Sequence, residues 1–307
     1  MINNLVIIGY GSAGKKFAKI VKKNFKNVEI FIVTHQKKIG FNTLSSLEQI
    51  IKVNPKYVII SSPTTLHFKH LNFINNNFKN IKILVEKPLF HKIQKIKKIK
   101  NKIYVGYNLR NLKIIKFIKS VILKNKKIIS DVSFVNHSFL PSWRENINYS
   151  KSSSAKKKFG GGVILDCSHE LDLATWLFGD IDILFVDKSK KSNLNIDTED
   201  NCKIFGMKKK ISFSFDFNYY SIQKRRELVL LGTNFKLVAD LVSGKLFIFR
   251  NKIKKYKKFN KNDIKKSYLL EMKNLLSNKE KNLPSYASAL KTQQMIQKIQ
   301  KFKNEKN

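Results

Sequence analysis

A glycine-rich turn directly after a buried strand constrains the fold of this chain more than any other feature. Leu5–Ile8 is a continuous run of branched apolar residues, which is typical of a strand covered on both faces. Glycines follow at once in the spacing G-x-G-x-x-G, and the next ten residues have helical spacing. Glycines that serve only a tight turn are the alternative, but a strand, this turn and a helix in succession predict a dinucleotide-binding unit, whose helix N-terminus and backbone N–H groups bind a pyrophosphate. The expected contacts come from Gly9, Gly11, Ser12, Ala13 and Gly14.

The order of the predicted elements indicates two domains of an α/β chain. Strand and helix patterns alternate at first, with predicted strands at Val28–Val33, Tyr57–Ser61, Ile81–Val85 and Ile103–Gly106 and predicted helices that include residues 44–52 and 93–100. Such alternation predicts a parallel sheet covered on both faces, and we assign residues 1–112 to an NAD(P)-binding Rossmann domain.

The pattern changes after residue 112 to longer strand-like runs separated by turn signals. We therefore expect residues 113–307 to form an α+β domain with an open, mostly antiparallel sheet. One helix is predicted near Asp166–Leu177. Two helices are predicted to close the chain, and we expect the last to pack back on the N-terminal domain.

The net charge of +40 calls for an explanation, since it is the usual mark of a nucleic-acid or membrane partner. Only 5 of the 61 basic residues are Arg, the residue expected where bases and phosphates are bound in a bidentate manner. Lys, Asn, Ile and Phe all have A/T-rich codons, so base composition explains the charge without a selected partner. We expect neither nucleic-acid nor membrane binding, and a positive field that favours anionic ligands.

Other patterns bound the environment of the protein. The apolar runs are far shorter than the roughly 20 residues of a membrane helix. The two cysteines, Cys167 and Cys202, cannot form a disulfide framework and lack the spacing of metal ligands. We expect a cytoplasmic protein with no metal site.

The end of the second predicted strand bears on the choice of cofactor. A site that prefers NAD places Asp or Glu there to bind the ribose 2′-OH, whereas Thr34 and the four residues after it, His-Gln-Lys-Lys, contain no acid. Thr34 can bind a 2′-phosphate and Lys37 or Lys38 can neutralise it. The sequence favours NADP over NAD, mainly through the missing acid.

Four further motifs follow the glycine turn in order: Ser62-Pro63-Thr64 with His67, Glu86-Lys87-Pro88, Gly106-Tyr107-Asn108, and Gly160-Gly161-Gly162 with Asp166, His169 and Asp172. Jointly they make the chain resemble the glucose–fructose oxidoreductase, inositol dehydrogenase and rhizopine-catabolism family, written Gfo/Idh/MocA. The resemblance implies NAD(P)-dependent oxidoreduction of a sugar or cyclitol hydroxyl. It also implies that residues 113–307 form the substrate-binding domain and that their open sheet forms dimers or tetramers.

The resemblance carries catalytic roles to two residues and makes a third, Asp166, a candidate. Lys87 matches a lysine that contacts substrate and assists proton transfer, and His169 matches a histidine that acts as acid–base on the reacting hydroxyl. A hydride leaves carbon only as the hydroxyl loses its proton, which requires such a group; a capping or core histidine is the alternative. Many members have an aspartate four residues before the histidine, where this chain has Leu165. Asp166, three residues before, lies on the same helical face, and either catalysis or helix capping fits it.

The remaining candidates come from the motifs above and from their positions in the chain. Cofactor contacts are expected from Ser62, Pro63, Thr64, His67, Glu86 and Lys87, with His67 either beside the nicotinamide or in a plain role at a helix end. Asn108 is expected to bind a sugar hydroxyl. Arg144 is either a clamp for a substrate carboxylate or phosphate or a surface arginine. Asp172 either orients the His169 imidazole or lies on the helix surface.

The expected function is thus hydride transfer between NADP(H) or NAD(H) and a secondary hydroxyl or keto carbon of a sugar derivative. The stretch 166–172, with Trp143-Arg144 and residues 150–155, resembles a subgroup of surface-polysaccharide and nonulosonate-type sugar biosynthesis. The alternative is a non-catalytic NAD(P)-binding sensor, which the presence of Lys87 and His169 disfavours.

Overall fold

The chain divides into two compact units in a computed structural model that describes residues 3–145, 147–261, 263–277 and 279–303. The first unit is Met1–Asn108 with Lys265–Gln293, and the second is Leu109–Ile264 with Gln294–Asn307. The last helix of the chain is therefore divided: residues 286–293 belong to the first unit and residues 294–301 to the second.

A six-stranded parallel sheet forms the first unit, as the alternating pattern predicts. Its strand order is β3-β2-β1-β4-β5-β6, the doubly wound order of dinucleotide-binding folds. The strands are β1 (Asn3–Ile8), β2 (Val28–Val33), β3 (Asn42–Leu44), β4 (Tyr57–Ile60), β5 (Lys82–Val85) and β6 (Lys102–Val105).

Both faces of this sheet are covered. Leu5 and Ile7 of β1 point into one core, and Val6 and Ile8 point into the other, because successive side chains of a strand alternate between faces. The helices that pack on the two faces are α1 (Ser12–Asn24), α2 (Ile50–Val53), α3 (His67–Asn77), most of α7 (Asp263–Leu276) and the first half of α8 (Tyr286–Lys301).

Two predicted helices in this unit are wrong. Residues 42–44 pair with β2 as the short strand β3, and only α2 remains of the helix predicted over 44–52. Residues 93–100 are not helical, because tertiary partners take their backbone groups: Ile96 N–H donates to the Tyr286 hydroxyl, and Asn75 binds both Lys98 O and Lys100 N–H. These partners lie far along the chain, outside any local pattern.

An eight-stranded sheet forms the second unit, and it is antiparallel except for the pair β7–β10. This confirms the predicted fold class. The strands are β7 (Ile129–Phe139), β8 (Asp182–Ser189), β9 (Asn201–Lys208), β10 (Ile211–Asn218), β11 (Tyr220–Gly232), β12 (Phe235–Asp240), β13 (Lys245–Arg250) and β14 (Ile253–Lys258). The lysine-rich edge strand β14 is absent from the sequence prediction.

One face of the second sheet packs on helices. Phe134, Phe213, Phe215 and Phe217 lie in a core that also contains the apolar residues of the helices. Those helices are α4 (Lys113–Asn125), α5 (Val163–Asp166), α6 (Ser168–Phe178) and the end of α8. The single helix predicted near Asp166–Leu177 is thus two pieces that meet at Cys167.

The opposite face of this sheet carries a row of paired residues that crosses all eight strands. Its ends are aromatic and about half exposed or partly buried, while its centre has two serines. From β8 to β14 the row is Phe185, Phe205, Ser214, Ser133, Val229, Val238, Phe247 and Tyr256. We call this the open-face row. Within the described ranges, no helix is both long and apolar enough to cross a membrane.

Candidate active site

The glycine turn of the first unit has the geometry that a pyrophosphate requires. Gly9 adopts φ +96°, and an added Cβ there would lie 2.8 Å from the Ser62 backbone nitrogen. At Gly11 an added Cβ would meet nothing within 4 Å, so the space above this backbone is open. Gly11 caps the N-terminus of α1, whose first N–H groups therefore face that space. The turn fits a dinucleotide, because Gly9 allows close packing against Ser62 and Gly11 leaves the backbone accessible to a ligand.

A cavity of about 720 Å³ extends from this turn over the carboxyl ends of β1, β2 and β4. Its wall brings together four of the predicted cofactor residues, Gly9, Thr34, Ser62 and Pro63. Its volume lies in the range of small-molecule sites. The residues present thus fit a bound NAD(P), with the adenosine part near Thr34.

The loop after β2 is tied to the glycine turn. The Thr34 hydroxyl accepts a hydrogen bond from Gln36 N–H at 3.1 Å, and the Gln36 amide donates to Tyr10 O at 3.2 Å. Thr34 keeps its hydroxyl hydrogen for a phosphate or ribose oxygen. Four charged or titratable side chains of the same wall were missed by the sequence reasoning: His35, Glu48, Lys69 and His70.

Glu48 is the acid of this cavity, although it lies outside the end of β2. A hydrogen bond from Ser46 lowers the pKa of its carboxyl, so the side chain is ionised at neutral pH. The short strand β3, which the sequence does not predict, carries the loop 45–49 to the cavity wall.

Two histidines of α3 contact Ser62. His67 Nε2 lies 3.0 Å from Ser62 O, and His70 Nδ1 lies 2.9 Å from the Ser62 hydroxyl. Burial lowers the pKa of His70 to about 4, so this ring is neutral at physiological pH. His70 lines the cavity, whereas the buried His67 is not among the described residues of its wall. Thr64, between them and Ser62, begins a single turn of 3-10 helix.

Glu86 and Lys87 follow β5 at the same edge of the sheet. The Lys87 backbone N–H donates to the Glu86 carboxylate at 2.9 Å, and burial raises the pKa of Glu86. Glu271 of α7 is fully buried in the same unit, and its pKa is raised well above the usual value, first by burial and then by Glu86. The sequence reasoning missed Glu271.

Asn108 lies at the end of the next strand. It is buried, and its Nδ2 donates to the Ser267 hydroxyl at 3.0 Å. Its Oδ1 atom has no hydrogen-bond partner among the described residues. This is the atom able to accept a hydrogen bond from a hydroxyl group.

In the second unit, Asp166 and His169 lie on either side of the break between α5 and α6. The Asp166 carboxylate accepts a hydrogen bond of 2.5 Å from the Tyr219 hydroxyl, and Asp166 N–H donates to Gly162 O. Cys167 is the residue that caps α6, and it makes no side-chain capping bond. Both Asp166 and His169 are half-buried. This arrangement fixes the Asp166 carboxylate from the bend between β10 and β11, 53 residues away.

Asp172 is held by an arginine. Both of its oxygens accept from Arg110, at 2.8 Å from Nε and 2.5 Å from Nη2, and both side chains are buried. The Arg110 guanidinium also lies over the Trp176 ring at 5.3 Å. The structure therefore gives Asp172 a buried ion pair, and sequence reasoning missed Arg110.

Comparisons with known proteins settle the family. Residues 3–103 match the family model described as "Oxidoreductase family, NAD-binding Rossmann fold", and residues 123–238 match the "GFO/IDH/MocA C-terminal domain". The chain belongs to the Gfo/Idh/MocA family. Its first unit is an NAD-binding Rossmann fold, and no curated protein matches the chain in sequence.

Solved structures share this fold over nearly the whole chain. The levoglucosan dehydrogenase complex with NADH has a TM-score of 0.80 and 16% identity, covering 97% of this chain and 96% of that one. The WlbA dehydrogenase from Bordetella pertussis, in complex with NADH and UDP-GlcNAcA, has a TM-score of 0.78 and 14% identity, covering 98% and 96%. UDP-N-acetylglucosamine 3-dehydrogenase GnnA from Acidithiobacillus ferrooxidans has a TM-score of 0.76 and 14% identity, covering 98% and 97%.

Arg144 is the last of the predicted site residues. It is half-buried and directly follows a turn of 3-10 helix that ends at Trp143. The Trp143 ring packs edge-on against Tyr219 with a centroid distance of 5.4 Å. Arg144 thus follows directly on the aromatic pair whose phenol binds Asp166. Across the part of the chain that the structure describes, no three His, Cys, Asp or Glu side chains are grouped as a metal site requires.

Proposed function

We propose that the protein transfers a hydride between NADP(H) or NAD(H) and a secondary hydroxyl or keto carbon of a sugar derivative. The observation that carries this proposal is the cradle of the first unit, where Gly9, Ser62 and the open backbone at Gly11 fit a dinucleotide. Family membership supports the reaction type, and the retained Lys87 and His169 support turnover over a non-catalytic sensor.

The roles of the chain's own residues follow from their chemistry. When bound, the nicotinamide supplies or accepts the hydride. We assign binding of the pyrophosphate to the N–H groups at the start of α1. Lys87 stabilises negative charge on the reacting oxygen, and His169 takes or returns the hydroxyl proton, since its usual pKa is close to neutrality.

We assign Asp166 to the substrate site and not to a helix cap. Its carboxylate is bound by Tyr219, and the capping position of α6 belongs to Cys167. A carboxylate fixed three residues before His169 is able to accept a hydrogen bond from a sugar hydroxyl or from the imidazole. Asn108 Oδ1 and Arg144 are the further substrate contacts that we propose.

For the cofactor we propose a preference for NADP over NAD. The end of β2 has no acid, and the Thr34 hydroxyl keeps its hydrogen for a 2′-phosphate oxygen. Glu48 opposes this preference, because an ionised carboxylate on the cavity wall repels a 2′-phosphate. Comparing the Kd values of NADPH and NADH for the wild type and for Glu48→Gln tests this: the wild type is expected to bind NADPH more tightly, and the variant to widen the difference. A wild type that prefers NADH contradicts the proposal.

For the substrate we propose an anionic sugar of the surface-polysaccharide or nonulosonate type. The net charge of +40 favours anions at any cleft, and Arg144 is able to bind a carboxylate in a bidentate manner. The WlbA neighbours were crystallised with UDP-GlcNAcA, a sugar nucleotide, which makes nucleotide-linked sugar acids the first compounds to test.

We further propose a homo-oligomer, a dimer or tetramer, formed through the sheet of the second unit. The open-face row places exposed Phe185 and Phe205 on the uncovered side, next to a groove lined by Ser133, Ser214 and Val229. Light scattering of Phe205→Asp is expected to show a smaller particle than the wild type.

We place the protein in the cytoplasm, because Cys167 and Cys202 are both buried and form no disulfide.

Nicotinamide absorbance with a panel of nucleotide-linked and acidic sugars tests the proposed reaction. Lys87→Met and His169→Asn are each expected to lower kcat by about 10²- to 10⁴-fold, as loss of an acid–base or charge-stabilising group does. Lys92→Met, an exposed lysine of the following loop, is the matched control and keeps wild-type turnover. Variants that fold and retain near-normal turnover contradict the assigned chemistry, and a wild type that binds NADPH without turnover supports the sensor.

A further inference from the structure

His67 contacts backbone carbonyls from two different loops. Its Nε2 atom lies 3.0 Å from Ser62 O, while Nδ1 lies 3.0 Å from Pro88 O and 3.3 Å from Leu89 O. The ring is buried, with 1% of its surface exposed. Both nitrogen atoms therefore face protein, and neither faces the cofactor cavity.

The first of these loops belongs to the dinucleotide cradle. Ser62 lines the cavity, and its backbone nitrogen lies 2.8 Å from the position that a Cβ on Gly9 would take. The preceding Ser61 donates its hydroxyl hydrogen to Gly9 O at 3.0 Å. The Ser62 loop and the glycine turn are consequently fixed relative to each other.

The second loop carries the candidate catalytic lysine. Pro88 and Leu89 follow Lys87 directly, and Leu89 is fully buried. A contact that holds the Pro88 and Leu89 carbonyls therefore fixes the backbone from which the Lys87 side chain extends.

The helix strengthens this connection from a second position. His70, one turn after His67, contacts the Ser62 hydroxyl at 2.9 Å, so the two rings hold both polar oxygens of Ser62. Residues three apart lie on the same face of a helix, which explains how α3 presents both rings to one loop.

We propose that His67 is a positioning residue that sets Lys87 relative to the dinucleotide cradle, acting through the backbone of Ser62 and of Pro88–Leu89. The proposal rests on the proposed function, because Lys87 is the group being positioned. It differs from a cofactor contact by His67, because both ring nitrogens face carbonyls of the two loops and His67 is not among the described residues of the cavity wall.

The protonation state of the ring decides how the two loops are bound. A neutral imidazole has one N–H and donates to one loop, whereas an imidazolium donates to both. Burial lowers the pKa of His67, while the carbonyls of Ser62, Pro88 and Leu89 oppose this effect. In either state the ring fills the space between the two loops and contacts both.

Two substitutions separate hydrogen bonding from packing. His67→Phe retains a ring of similar size without nitrogen atoms, and His67→Gln retains one amide donor. His91→Phe, a half-buried histidine two residues after Leu89, is the matched control. Steady-state kinetics with NADPH and hydrogen exchange of the peptides covering residues 61–66 and 86–90 are measured for each variant and the wild type.

For His67→Phe we expect kcat to fall about 10-fold or more with a KM for the sugar within about 3-fold of wild type, since small displacements of a catalytic group lower the rate steeply. Both peptides are expected to exchange faster. His67→Gln is expected to lie between wild type and His67→Phe, and His91→Phe is expected to match wild type. If His67→Phe does not fold, the same comparison is made with His67→Gln.

Wild-type kcat in the folded His67 variants overturns the proposal, as does unchanged exchange of residues 86–90. A rise in KM with unchanged kcat also overturns it, because it indicates a binding role. Failure of the proposed function looks different: the wild type itself shows no turnover, and the exchange measurement still reports whether His67 fixes the Lys87 loop.

Discussion

The two units fix their candidate residues by different means. In the first unit, Gly9, Ser62 and Lys87 lie in loops whose backbone groups contact each other or a histidine ring. In the second unit, Asp166 and Asp172 are each bound by a side chain from a distant element, Tyr219 and Arg110. Backbone packing requires particular residue types at short spacing, whereas a side-chain partner can come from anywhere in the chain. A site of the first kind is sensitive to an added methyl group, and one of the second kind is sensitive to loss of a partner.

The largest effect is expected at the buried ion pair of the second unit. Asp172→Ala leaves the Arg110 guanidinium buried without its carboxylate, which lowers the free energy of unfolding by about 3–5 kcal/mol. The double variant Arg110→Met/Asp172→Leu removes both charges and is expected to recover most of that loss. Urea unfolding of the three proteins measures the difference, and a loss below about 1 kcal/mol for Asp172→Ala shows that the pair is not what holds α6.

In the first unit, two glycines give a matched pair. Gly9→Ala places a Cβ against the Ser62 backbone at φ +96°, so we expect a loss of about 1–3 kcal/mol in stability together with loss of NADPH binding. Gly11→Ala meets nothing within 4 Å, so we expect unchanged stability with weaker NADPH binding. Thermal unfolding and NADPH fluorescence distinguish the two. Equal stability of both variants contradicts a cradle built by backbone packing.

Tyr219→Phe tests the side-chain principle at the Asp166 carboxylate. Removing the phenol hydrogen bond is expected to cost about 1.5–3 kcal/mol, the range for bonds to charged groups. It is also expected to lower kcat, because Asp166 loses its fixed orientation. Tyr220→Phe, which removes a bond of 3.0 Å to Asn201, is the control and leaves kcat unchanged. If Tyr219→Phe retains the wild-type kcat, the hydrogen bond from Tyr219 to Asp166 is not needed for turnover.

The smallest expected effect concerns the pH dependence of stability. The unfolded chain binds a proton at His70 near pH 6.5, while burial first, then His67 and Lys69, keep the folded ring neutral to about pH 4. Unfolding is therefore favoured as the pH falls through this window. The lowered pKa of the buried His67 also favours unfolding as the pH falls. His70→Asn is expected to flatten the fall in urea midpoint between pH 7 and pH 5. A steeper fall in the variant contradicts the neutral histidine.

Most of the first unit could be predicted from the sequence. Branched apolar runs locate five of its strands, and the glycine spacing locates the cradle, because both signals are local. The helix predicted over 93–100 failed, since Tyr286 and Asn75 bind its backbone from elsewhere. Strand β14 was missed because six exposed residues carry no apolar alternation.

The site residues also divide into those that local motifs predict and those that depend on distant partners. Gly9, Thr34, Ser62 and Pro63 share one cavity wall as their motifs indicated. Arg110 and Tyr219 lie 62 and 53 residues from the carboxylates they bind, so no spacing rule connects them. Glu48 was missed because the acid of the cavity comes from the loop after β3 and not from the end of β2.

Direct hydride transfer is the central claim, and a single-turnover experiment with nicotinamide deuterated at the transferable position tests it most directly. With a keto-sugar substrate, the wild type is expected to place the deuterium on the sugar carbon, as mass spectrometry of the product shows, while His169→Asn transfers it at least about 100-fold more slowly. A cofactor that binds but leaves every sugar of the panel unlabelled would contradict the account.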